Sequence, residues 1–458
     1  MKHQTISTIA RMSDAKLINV KDLNSPVHAI STDTRTIKPG DIYVPLIGER
    51  LDGHEFIDKA FEKGALACFC DKNHIKNDGN IYLIVDDTLK AMQLLAKNYR
   101  NSLNTTIVGL TGSNGKTTTK DIIHSILKRK YRSQKTIGNL NNAIGVPRTL
   151  LELDEDTEVG VVEMGMDTFG EISLYVDMAN PHISIITNIG DSHLQELGSK
   201  ENVAKAKLEI LENMTEDDIF IYNLDDEVLK SEVEKLDILP RVITYGKSQD
   251  ADYRITPLSS GLQGSKFLIN GESYHINLLG SFQVYNAAVA IIVAIEMGLS
   301  PIEIQKGLNV EDQTAMRTEL ISCDGFDILN DSYKSNPQSL LEALNTAKLL
   351  AGYKRKIAIL GDMLELGTTE AELHFNAGQN IDSSAIDYIL FYGPLSKDMM
   401  RGAAENFSND RIFHFDSKPD LVDKAKYLIS KNSLVLVKGS RALRMEEIIE
   451  SIKDITTC

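Results

Sequence analysis

The stretch Thr111-Gly-Ser-Asn-Gly-Lys-Thr-Thr-Thr119 joins a glycine-rich turn to a Lys-Thr pair, and it decides how the rest of the chain is interpreted. An apolar run, residues 106–110, precedes it, and a helix-like segment, residues 120–130, follows it. Strand, glycine-rich turn and helix together predict a phosphate-binding loop, in which backbone N–H groups and the helix N-terminus face phosphate oxygens. Lys116 is expected to neutralise β- and γ-phosphate charge, and the Thr117 hydroxyl to bind Mg²⁺.

The loop is a shortened version of the common phosphate-binding pattern, because Leu110 occupies the position where that pattern has its first glycine. An ordinary Gly/Asn turn between a strand and a helix is the alternative interpretation. The flanking strand and helix are the context that a phosphate-binding loop requires, and they favour the phosphate site.

Composition limits the class of protein. A length of 458 residues is enough for about three domains. The net charge of −16 argues against a general nucleic-acid or anionic-membrane surface, and no apolar run approaches the roughly 18 residues that span a bilayer. The N-terminus lacks a signal-peptide core, and four cysteines do not make a disulfide framework. The sequence therefore predicts a cytoplasmic, monomeric protein without nucleic-acid partners or membrane insertion.

Alternating strand-like and helix-like patterns predict an α/β protein of three domains. Cys68 and Cys70 lie in an apolar run with no second Cys/His pair nearby, which predicts a buried strand and not a metal or redox pair. Around the phosphate loop, strands and helices alternate as in a parallel sheet, and residues 242–280 predict an antiparallel patch. The last part repeats the strand–helix rhythm and predicts a second open sheet. The predicted domains are residues 1–104, 105–312 and 313–458.

Polar residues follow several of the predicted strands, at the sheet edge where α/β proteins bind ligands. Glu163 follows an apolar run, and it could be a helix cap, a surface charge or, near a phosphate loop, an oxygen ligand for Mg²⁺. His193 lies in a polar stretch before a helix that carries Lys205 and Lys207. The turn Asn330–Pro337 separates a strand from a helix. Taken singly, a lone histidine is usually structural and two helical lysines are usually solvated.

Taken in order, these motifs resemble the Mur ligase family of ATP-dependent amide-forming enzymes over nearly the whole chain. Agreement at so many ordered places is not a chance event. Besides the phosphate loop and the Glu163 and His193 elements, the resemblance is carried by Ser31-Thr-Asp-Thr-Arg35, Pro45-Leu-Ile-Gly48, Asp52-Gly-His-Glu-Phe56, Gly138-Asn-Leu-Asn-Asn142, Ile144-Gly-Val-Pro147, Gly280-Ser-Phe-Gln-Val-Tyr-Asn286, Thr314-Ala-Met-Arg317, Asn330-Asp-Ser-Tyr-Lys-Ser-Asn-Pro337, Leu360-Gly-Asp-Met-Leu-Glu-Leu-Gly367 and Val437-Lys-Gly-Ser-Arg441.

The resemblance implies a small α/β uridine-nucleotide-binding domain, a central phosphate-loop ATPase domain with a parallel sheet, and a C-terminal Rossmann-like domain. It implies two Mg²⁺ ions, the first on Thr117 and Glu163 and the second on His193. It also implies a CO₂-derived carbamate on Lys207, fourteen positions after His193, with Lys205 as the competing candidate. Carbamylation replaces a cation by an anion, which a neighbouring metal ion favours.

Further roles follow from the same resemblance. Asn286 would meet adenine, Asn139 the phosphate region, and Arg317 and Asp331 would close the nucleotide site from the third segment. The ATP set is Thr111, Gly112, Ser113, Asn114, Gly115, Lys116, Thr117, Thr118, Asn139, Asn286, Arg317 and Asp331. The set for the uridine nucleotide and its muramyl peptide is Ser31, Asp33, Arg35, Gly48, Asp52, Gly53, His54, Asn141 and Asn142. Tyr333 and Asn336 would face the second substrate. The catalytic set is Lys116, Glu163, His193, Lys207 and Arg317.

The implied reaction is the ATP-driven joining of D-alanyl-D-alanine to UDP-N-acetylmuramoyl-tripeptide through an acyl-phosphate, in peptidoglycan precursor synthesis. The third segment is expected to rotate onto the second when ATP binds. Lys334 and Arg148 depart from the residues usual in the family at their positions. Because of Lys334, another amide ligase with a different acceptor stays an alternative function. A phosphate-loop NTPase switch and an inactive scaffold are the alternatives from other classes.

Overall fold

A computed structural model describes residues 4–48, 50–76 and 78–455, and in it the chain forms three sheets that follow one another along the sequence. The α/β class and the three-part organisation predicted from the sequence are confirmed. None of the helices within the described ranges is long and apolar enough to cross a membrane.

The N-terminal part is a five-stranded sheet of order β1-β5-β4-β3-β2, in which β1 pairs antiparallel with β5 and the other pairs are parallel. Its strands are β1 (Lys16–Ile18), β2 (Ile30–Ser31), β3 (Ile42–Tyr43), β4 (Ala67–Cys70) and β5 (Tyr82–Ile84). Its helices are α1 (Ile6–Met12), α2 (Ile57–Glu62) and α3 (Thr88–Asn101), and a 3₁₀ turn spans Gly53–Phe56.

One local prediction in this part is tested by the structure. Cys68 and Cys70 are free thiols in the buried strand β4, as predicted, and burial raises the pKa of Cys70 to about 12. The apolar run at residues 41–47 forms a strand over only Ile42–Tyr43. Pro45 lies in that run and has no N–H to donate to a neighbouring strand, which limits the pairing.

The central part is a nine-stranded sheet of order β14-β13-β12-β11-β10-β9-β6-β8-β7. Its strands are β6 (Thr106–Thr111), β7 (Ser133–Lys135), β8 (Val159–Glu163), β9 (Ile183–Ile186), β10 (Ile219–Asn223), β11 (Arg241–Gly246), β12 (Tyr253–Gly261), β13 (Gly264–Ile269) and β14 (Glu272–Ile276). Its helices are α4 (Lys116–Leu127), α5 (Gly145–Leu151), α6 (Glu171–Ala179), α7 (Leu194–Leu197), α8 (Lys200–Leu208), α9 (Glu227–Val233), α10 (Gln283–Glu296) and α11 (Pro301–Gly307).

Strands β6 to β12 of this sheet pair in parallel, and β12, β13 and β14 pair antiparallel, which confirms the patch predicted over 242–280 in its later part. Helix α4 begins at Lys116, four residues earlier than predicted. Gly115 adopts a left-handed conformation, with φ of 81°, and ends the loop there. The Lys-Thr pair therefore lies in the first turn of the helix. Helix α10 is buried on most sides and packs with α4 against one face of the sheet.

The C-terminal part is a six-stranded sheet of order β15-β16-β20-β17-β18-β19, parallel except for the edge strand β15. Its strands are β15 (Glu319–Ser322), β16 (Phe326–Asp331), β17 (Arg355–Gly361), β18 (Tyr388–Tyr392), β19 (Ile412–Phe415) and β20 (Ser433–Lys438). Its helices are α12 (Pro337–Leu349), α13 (Glu370–Gln379), α14 (Ser396–Ala403), α15 (Lys418–Leu428) and α16 (Glu446–Ile452), and 3₁₀ turns span Gly367–Thr369, Arg441–Leu443 and, in the central part, Glu209–Leu211.

The two larger sheets place their ligand-binding edges against one large cavity. Central strands β6 and β8 end at Thr111 and Glu163, and C-terminal strands β16 and β20 end at Asp331 and Lys438. Three of these four end residues, Glu163, Asp331 and Lys438, line the cavity, whose volume is about 920 Å³. Such edges bind ligands in open α/β sheets, and here two of them face each other.

Candidate active site

Close packing at both glycines shapes the phosphate loop. A Cβ on Gly112 would lie 1.9 Å from the Thr187 hydroxyl oxygen, and one on Gly115 would lie 2.5 Å from the Asn286 side-chain oxygen. Both glycines also have positive φ, at 149° and 81°. Larger residues are therefore disfavoured by the backbone conformation as well as by the lack of space for a Cβ. The loop is thus packed tightly against β9 and α10, and its backbone N–H groups stand at the N-terminus of α4.

The Lys116 ammonium folds back and donates a hydrogen bond to the carbonyl of Gly112. Burial lowers the pKa of Lys116 to about 8, against the opposing effect of Glu163, and the charges of Lys334 and Arg317 lower it further. A phosphate group in the loop would offset this loss of solvation, because it would place negative charge beside the ammonium.

Glu163 lies at the end of β8 and is almost completely buried. Its Oε1 accepts hydrogen bonds from the Thr117 hydroxyl at 3.1 Å and from the Asn141 amide at 2.8 Å. Its Oε2 accepts no hydrogen bond, although Lys120 Nζ lies 3.2 Å away. A buried carboxylate oxygen left open beside a threonine hydroxyl fits Mg²⁺, which prefers carboxylate and hydroxyl oxygens.

Lys120 is a site residue to which the sequence analysis gave no role. It is completely buried, and besides Glu163 it contacts the carbonyl of Gly138 at 3.0 Å. It belongs to the motif that contains Lys116 and lies one helical turn later, on the same face of α4. That i, i+4 spacing was the signal by which it could have been found.

His193 is held in a fixed orientation at the start of α7. Its backbone is left-handed, with φ of 60°, and its side chain is mostly buried. Its Nδ1 lies 3.0 Å from a carboxylate oxygen of Asp167 and 3.8 Å from one of Glu365, and its Nε2 lies 3.4 Å from Lys334 Nζ. Burial lowers the pKa of His193 against the opposing hydrogen bond to Asp167. The sequence analysis gave neither carboxylate a role, although Glu365 lies in the quoted motif Leu360–Gly367 and Asp167 lies four residues after the strand end at Glu163.

The structure separates the two candidate lysines of α8. Lys205 is exposed, whereas Lys207 is 1% exposed. Burial lowers the pKa of Lys207 well below its usual range, and the charges of Lys116 and Lys334 act in the same direction. Within the described ranges no carboxylate forms an ion pair with Lys207. A lowered pKa increases the share of the neutral amine, which is the form that can react with CO₂.

Arg317 reaches from the C-terminal part onto the phosphate loop. One of its terminal nitrogens donates to the Thr117 hydroxyl at 3.4 Å, and its guanidinium lies 4.0 Å over the ring of Tyr333. Its buried Nε has no hydrogen-bond partner. Both neighbours, Met316 and Thr318, have positive φ, at 62° and 53°. Such backbone strain in non-glycine residues collects at functional sites, and here it fixes the direction of the arginine.

Lys438 is a second residue that the sequence analysis quoted in a motif without a role. It is 1% exposed, pairs with Asp331 at 2.6 Å and donates to the carbonyl of Lys334 at 2.9 Å. Asp331 also accepts from the backbone N–H of Thr318 at 3.0 Å. This ion pair therefore ties the segment that carries Arg317 to the turn that carries Lys334.

The phosphate loop and α12 are in direct contact across the cavity. Asn114 accepts a hydrogen bond from the side chain of Asn336 at 2.9 Å and donates one to Gln338 at 3.2 Å. Asn336 also caps α12, where it accepts from Ser339 N at 2.8 Å. The central and C-terminal parts are thus closed upon each other.

Most of the predicted ATP and metal residues line the large cavity, together with Asn141 and Tyr333 of the other predicted substrate sets. The predicted residues in the cavity wall are Ser113, Asn114, Gly115, Lys116, Thr117, Thr118, Asn141, Glu163, His193, Asn286, Arg317, Asp331 and Tyr333. The side-chain amide of Asn286 is hydrogen-bonded within the protein. It accepts from the Thr119 hydroxyl at 3.2 Å and donates to the Gln283 side-chain oxygen at 2.8 Å. Asn139 is exposed and is absent from the cavity wall. Asn142 accepts from the backbone N–H of Gly145 at 2.9 Å, at the start of α5.

Apart from Asn141 and Asn142, the predicted uridine residues lie in the N-terminal part and are absent from the wall of this cavity. Asp33 forms a two-point ion pair with the exposed Arg35, whose hydrogen bonds lower the pKa of Asp33 to about 2. The charge of Arg148, from α5, also acts on that carboxylate. Arg148 therefore lies where the N-terminal and central parts meet, and not at the phosphate loop. Ser31 donates to the carbonyl of Asp33 at 3.1 Å.

Gly53 and His54 begin the 3₁₀ turn, and the side chain of Asp52 caps it by accepting from the His54 N–H. The Gly48 N–H donates to the carbonyl of Leu51 at 2.9 Å. Ligand atoms of Asp52, His54 and His74 lie within 4.8 Å of one another. The two imidazole rings are stacked, with centroids 4.2 Å apart and planes 19° apart. An ion in the plane of one ring would lie too far from the other, so the cluster is a capping network and not a preformed metal site.

Comparisons with known proteins agree along the whole chain. Three family models match it: "Mur ligase family, catalytic domain" over 26–100, "Mur ligase middle domain" over 110–294 and "Mur ligase, glutamate ligase domain" over 316–441. The UDP-N-acetylmuramoyl-tripeptide–D-alanyl-D-alanine ligase of Bacillus subtilis is 41% identical over 99% of both chains. The enzyme of the same name from Escherichia coli is 30% identical over 98% of this chain and 99% of its own.

Solved structures give the same result. A crystal structure of MurF from Acinetobacter baumannii covers 98% of both chains, with a TM-score of 0.88 and 26% identity. MurF of Thermotoga maritima in complex with ADP covers 93% of this chain and 97% of its own, with a TM-score of 0.80 and 25% identity. From these matches, and from the loop, carboxylate and arginine that meet across the cavity, the chain belongs to the Mur ligase family.

Proposed function

We propose that the chain is an ATP-dependent ligase that joins D-alanyl-D-alanine to UDP-N-acetylmuramoyl-tripeptide, with release of ADP and phosphate. The observation that carries the proposal is one cavity in which the phosphate loop and Glu163 of one sheet face Arg317 of another. The full-length similarity to ligases of that name selects the substrates. The product is UDP-N-acetylmuramoyl-pentapeptide, which places the reaction in cytoplasmic peptidoglycan precursor synthesis and so upstream of cell shape and division.

Activation of the tripeptide carboxylate is the first chemical step. The carboxylate attacks the γ-phosphorus of ATP, ADP leaves, and an acyl-phosphate forms. Such transfer needs neutralised phosphate oxygens and accurate alignment more than a protein nucleophile. Lys116 and Arg317 supply positive charge from opposite sides of the cavity. Thr117 and Glu163 would hold Mg²⁺, which would supply further positive charge to the phosphate group.

Amide formation is the second step. The amine of D-alanyl-D-alanine attacks the acyl carbon, and phosphate leaves. The closed contact between Asn114 and α12 keeps water from the acyl-phosphate, which would otherwise hydrolyse. The dipeptide would approach along the turn that carries Tyr333, and the uridine nucleotide would be held by the N-terminal part.

Lys207 fits the role of a carbamylated lysine better than Lys205 does. Lys207 is buried and lies within the electrostatic reach of Lys116 and Lys334, whereas Lys205 faces solvent. A carbamate on Lys207 would bring a negative charge to a region that those two lysines make positive. Its role would be to hold His193 and the neighbouring cations in place.

The test is phosphate release from ATP with purified protein, Mg²⁺ and UDP-N-acetylmuramoyl-tripeptide, with and without D-alanyl-D-alanine. We expect release to require both substrates, and mass spectrometry to detect the pentapeptide product. Lys116→Ala should lower the rate by at least about 100-fold, since it removes a preorganised positive charge. Its circular dichroism should match wild type, because the Lys116 side chain contacts only the loop.

Release that ignores the dipeptide would contradict the proposed acceptor. It would favour another Mur-type amide ligase, or a phosphate-loop switch if no acyl acceptor is consumed. A Lys116→Ala variant with a near wild-type rate would remove the assignment of the nucleotide site.

A further inference from the structure

The Lys334 ammonium occupies the position at His193 where a second metal ion would bind. His193 Nδ1 faces Asp167 at 3.0 Å, so Nδ1 carries the proton and Nε2 carries the lone pair. Lys334 Nζ lies 3.4 Å from that Nε2 and 3.0 Å from a carboxylate oxygen of Glu365. Lys334 is thus the cation that meets the only nitrogen of His193 able to bind a metal ion.

The backbone of Lys334 is fixed on both sides. Its carbonyl accepts from the buried Lys438 at 2.9 Å, and two residues later Asn336 is bound by Asn114 and Ser192 at 2.9 and 3.2 Å. Its partner Glu365 is held in a left-handed conformation, with φ of 67°. Lys334 therefore reaches His193 from an anchored turn, and only its side chain is free to move.

A second ion does not fit beside this lysine. A metal ion binds a ligand atom at about 2 Å. An ion on Nε2 would share the space between Nε2 and Nζ, whose separation is 3.4 Å. Two cations at that distance repel strongly, and the ammonium already donates to Glu365. The site at Thr117 and Glu163 differs in charge: Lys120 Nζ lies 3.2 Å from Glu163 Oε2, but the carboxylate offsets that ammonium, and the other carboxylate oxygen faces the Thr117 hydroxyl.

We propose that Lys334 supplies, in this chain, the positive charge that a second divalent ion on His193 would supply, so that the closed enzyme binds one Mg²⁺ per nucleotide. The proposal rests on the ligase function proposed above. The ammonium is in place as soon as the C-terminal part closes, and Glu365 orients it. Lys334 lines the same cavity as the phosphate loop, and its charge lowers the pKa of Lys116 and of Lys207.

The test counts the metal ions directly. Mn²⁺, whose free form gives an electron paramagnetic resonance signal, is titrated into the full chain with β,γ-methylene-ATP, UDP-N-acetylmuramoyl-tripeptide and bicarbonate. We expect one bound Mn²⁺ per wild-type chain and two per chain for Lys334→Met. Lys334→Arg keeps the charge and should bind one. Lys205→Met removes an exposed lysine of α8 and should also bind one.

Two ions in the wild-type chain, or one in Lys334→Met, would overturn the proposal. The wild-type result alone suffices if Lys334→Met does not fold. A wild-type chain without nucleotide-dependent Mn²⁺ binding would overturn this proposal together with the ATP site, whereas two ions in wild type would leave the ligase function intact. The Mg²⁺ dependence of turnover gives a second measurement: its Hill coefficient should stay at about 1 in the wild-type chain and exceed 1 in Lys334→Met, with about 2 as the upper limit for two ions.

Discussion

Single charged residues determine the chemistry of the cavity, and burial determines the state of each. Lys116, Lys120 and Lys207 are all lysines of the central part, yet their partners differ. Lys120 is paired with Glu163, Lys116 contacts a loop carbonyl, and Lys207 has no carboxylate partner among the described residues. An identical side chain is therefore a structural cation, a phosphate ligand or a candidate nucleophile for CO₂, according to what surrounds it.

Lys207→Ala should lower ligase activity by roughly 100-fold, as expected for loss of a group that orients a charged site. Added formate or acetate should restore part of the activity, since a small carboxylate can occupy the space of the carbamate. Lys205→Ala, two residues away and exposed, is the matched control and should keep the wild-type rate. A fully active Lys207→Ala would show that the carbamate role is wrong for this residue.

His124 on α4 gives a prediction about stability against pH. Burial, with help from Lys135 and Lys128, lowers the pKa of His124 to about 4 from its usual 6.5. Between about pH 6.5 and pH 4, His124 binds a proton in the unfolded chain and stays neutral in the folded chain. The free energy of unfolding therefore falls as the pH is lowered through this range. His124→Gln should flatten urea midpoints between pH 7 and pH 5. Equal pH slopes in the two proteins would contradict the buried neutral histidine.

Secondary-structure elements differ in how closely they approach one another, and α13 and α14 form the tightest helix pair. A Cβ on Gly378 would lie 1.9 Å from the carbonyl oxygen of Met399, and one on Gly402 would lie 2.0 Å from that of Phe375. The two helices therefore touch through backbone at two reciprocal positions. This contact supports the edge of the C-terminal sheet, remote from the cavity.

Gly402→Ala should lower the free energy of unfolding of the C-terminal part by about 1–3 kcal/mol, because the added methyl group forces the helices apart. Gly261→Ala on β12 is the control, since a Cβ there meets nothing within 4 Å. Thermal unfolding of both variants gives the measurement. Equal melting temperatures would mean that α13 and α14 can separate without cost.

The extent to which the sequence predicted these elements varied with the range of the interaction involved. The phosphate loop and the strand ends at Glu163 were predictable, because the chemistry and the pattern are both local. The roles of Asp167 and Glu365 were not, since both meet His193 through tertiary contacts, and Glu365 reaches it from the C-terminal part. The burial of Lys207 and the exposure of Lys205 could not be predicted from the sequence, so Lys207 was preferred only because of its spacing from His193.

At the scale of the whole molecule, three domains share one reaction between them. The N-terminal part carries the predicted uridine residues, the central part the phosphate loop, and the C-terminal part Arg317 and Lys334. The contacts of Arg317 with Thr117 and of Asn336 with Asn114 join the central part to the C-terminal part. We therefore expect catalysis to depend on the relative position of these two parts, since Arg317 supplies the charge on one side of the phosphate.

Small-angle X-ray scattering should register this coupling. We expect the radius of gyration to fall when β,γ-methylene-ATP and UDP-N-acetylmuramoyl-tripeptide are added, because both ligands bridge domains. Arg317→Ala removes a bridge and should weaken the response, whereas Lys205→Ala should not change it. Identical scattering with and without ligands would contradict a ligand-driven closure.

The contact between the phosphate loop and α12 has a consequence for the ionic strength of the medium. Asn114, Asn336 and Gln338 meet through amide groups, which carry no net charge. Dissolved salt screens charges and leaves neutral hydrogen bonds almost unaffected. High salt should therefore weaken the capture of the anionic substrates and the exposed pair of Lys128 and Asp312, 3.1 Å apart, while the docked loop stays in place.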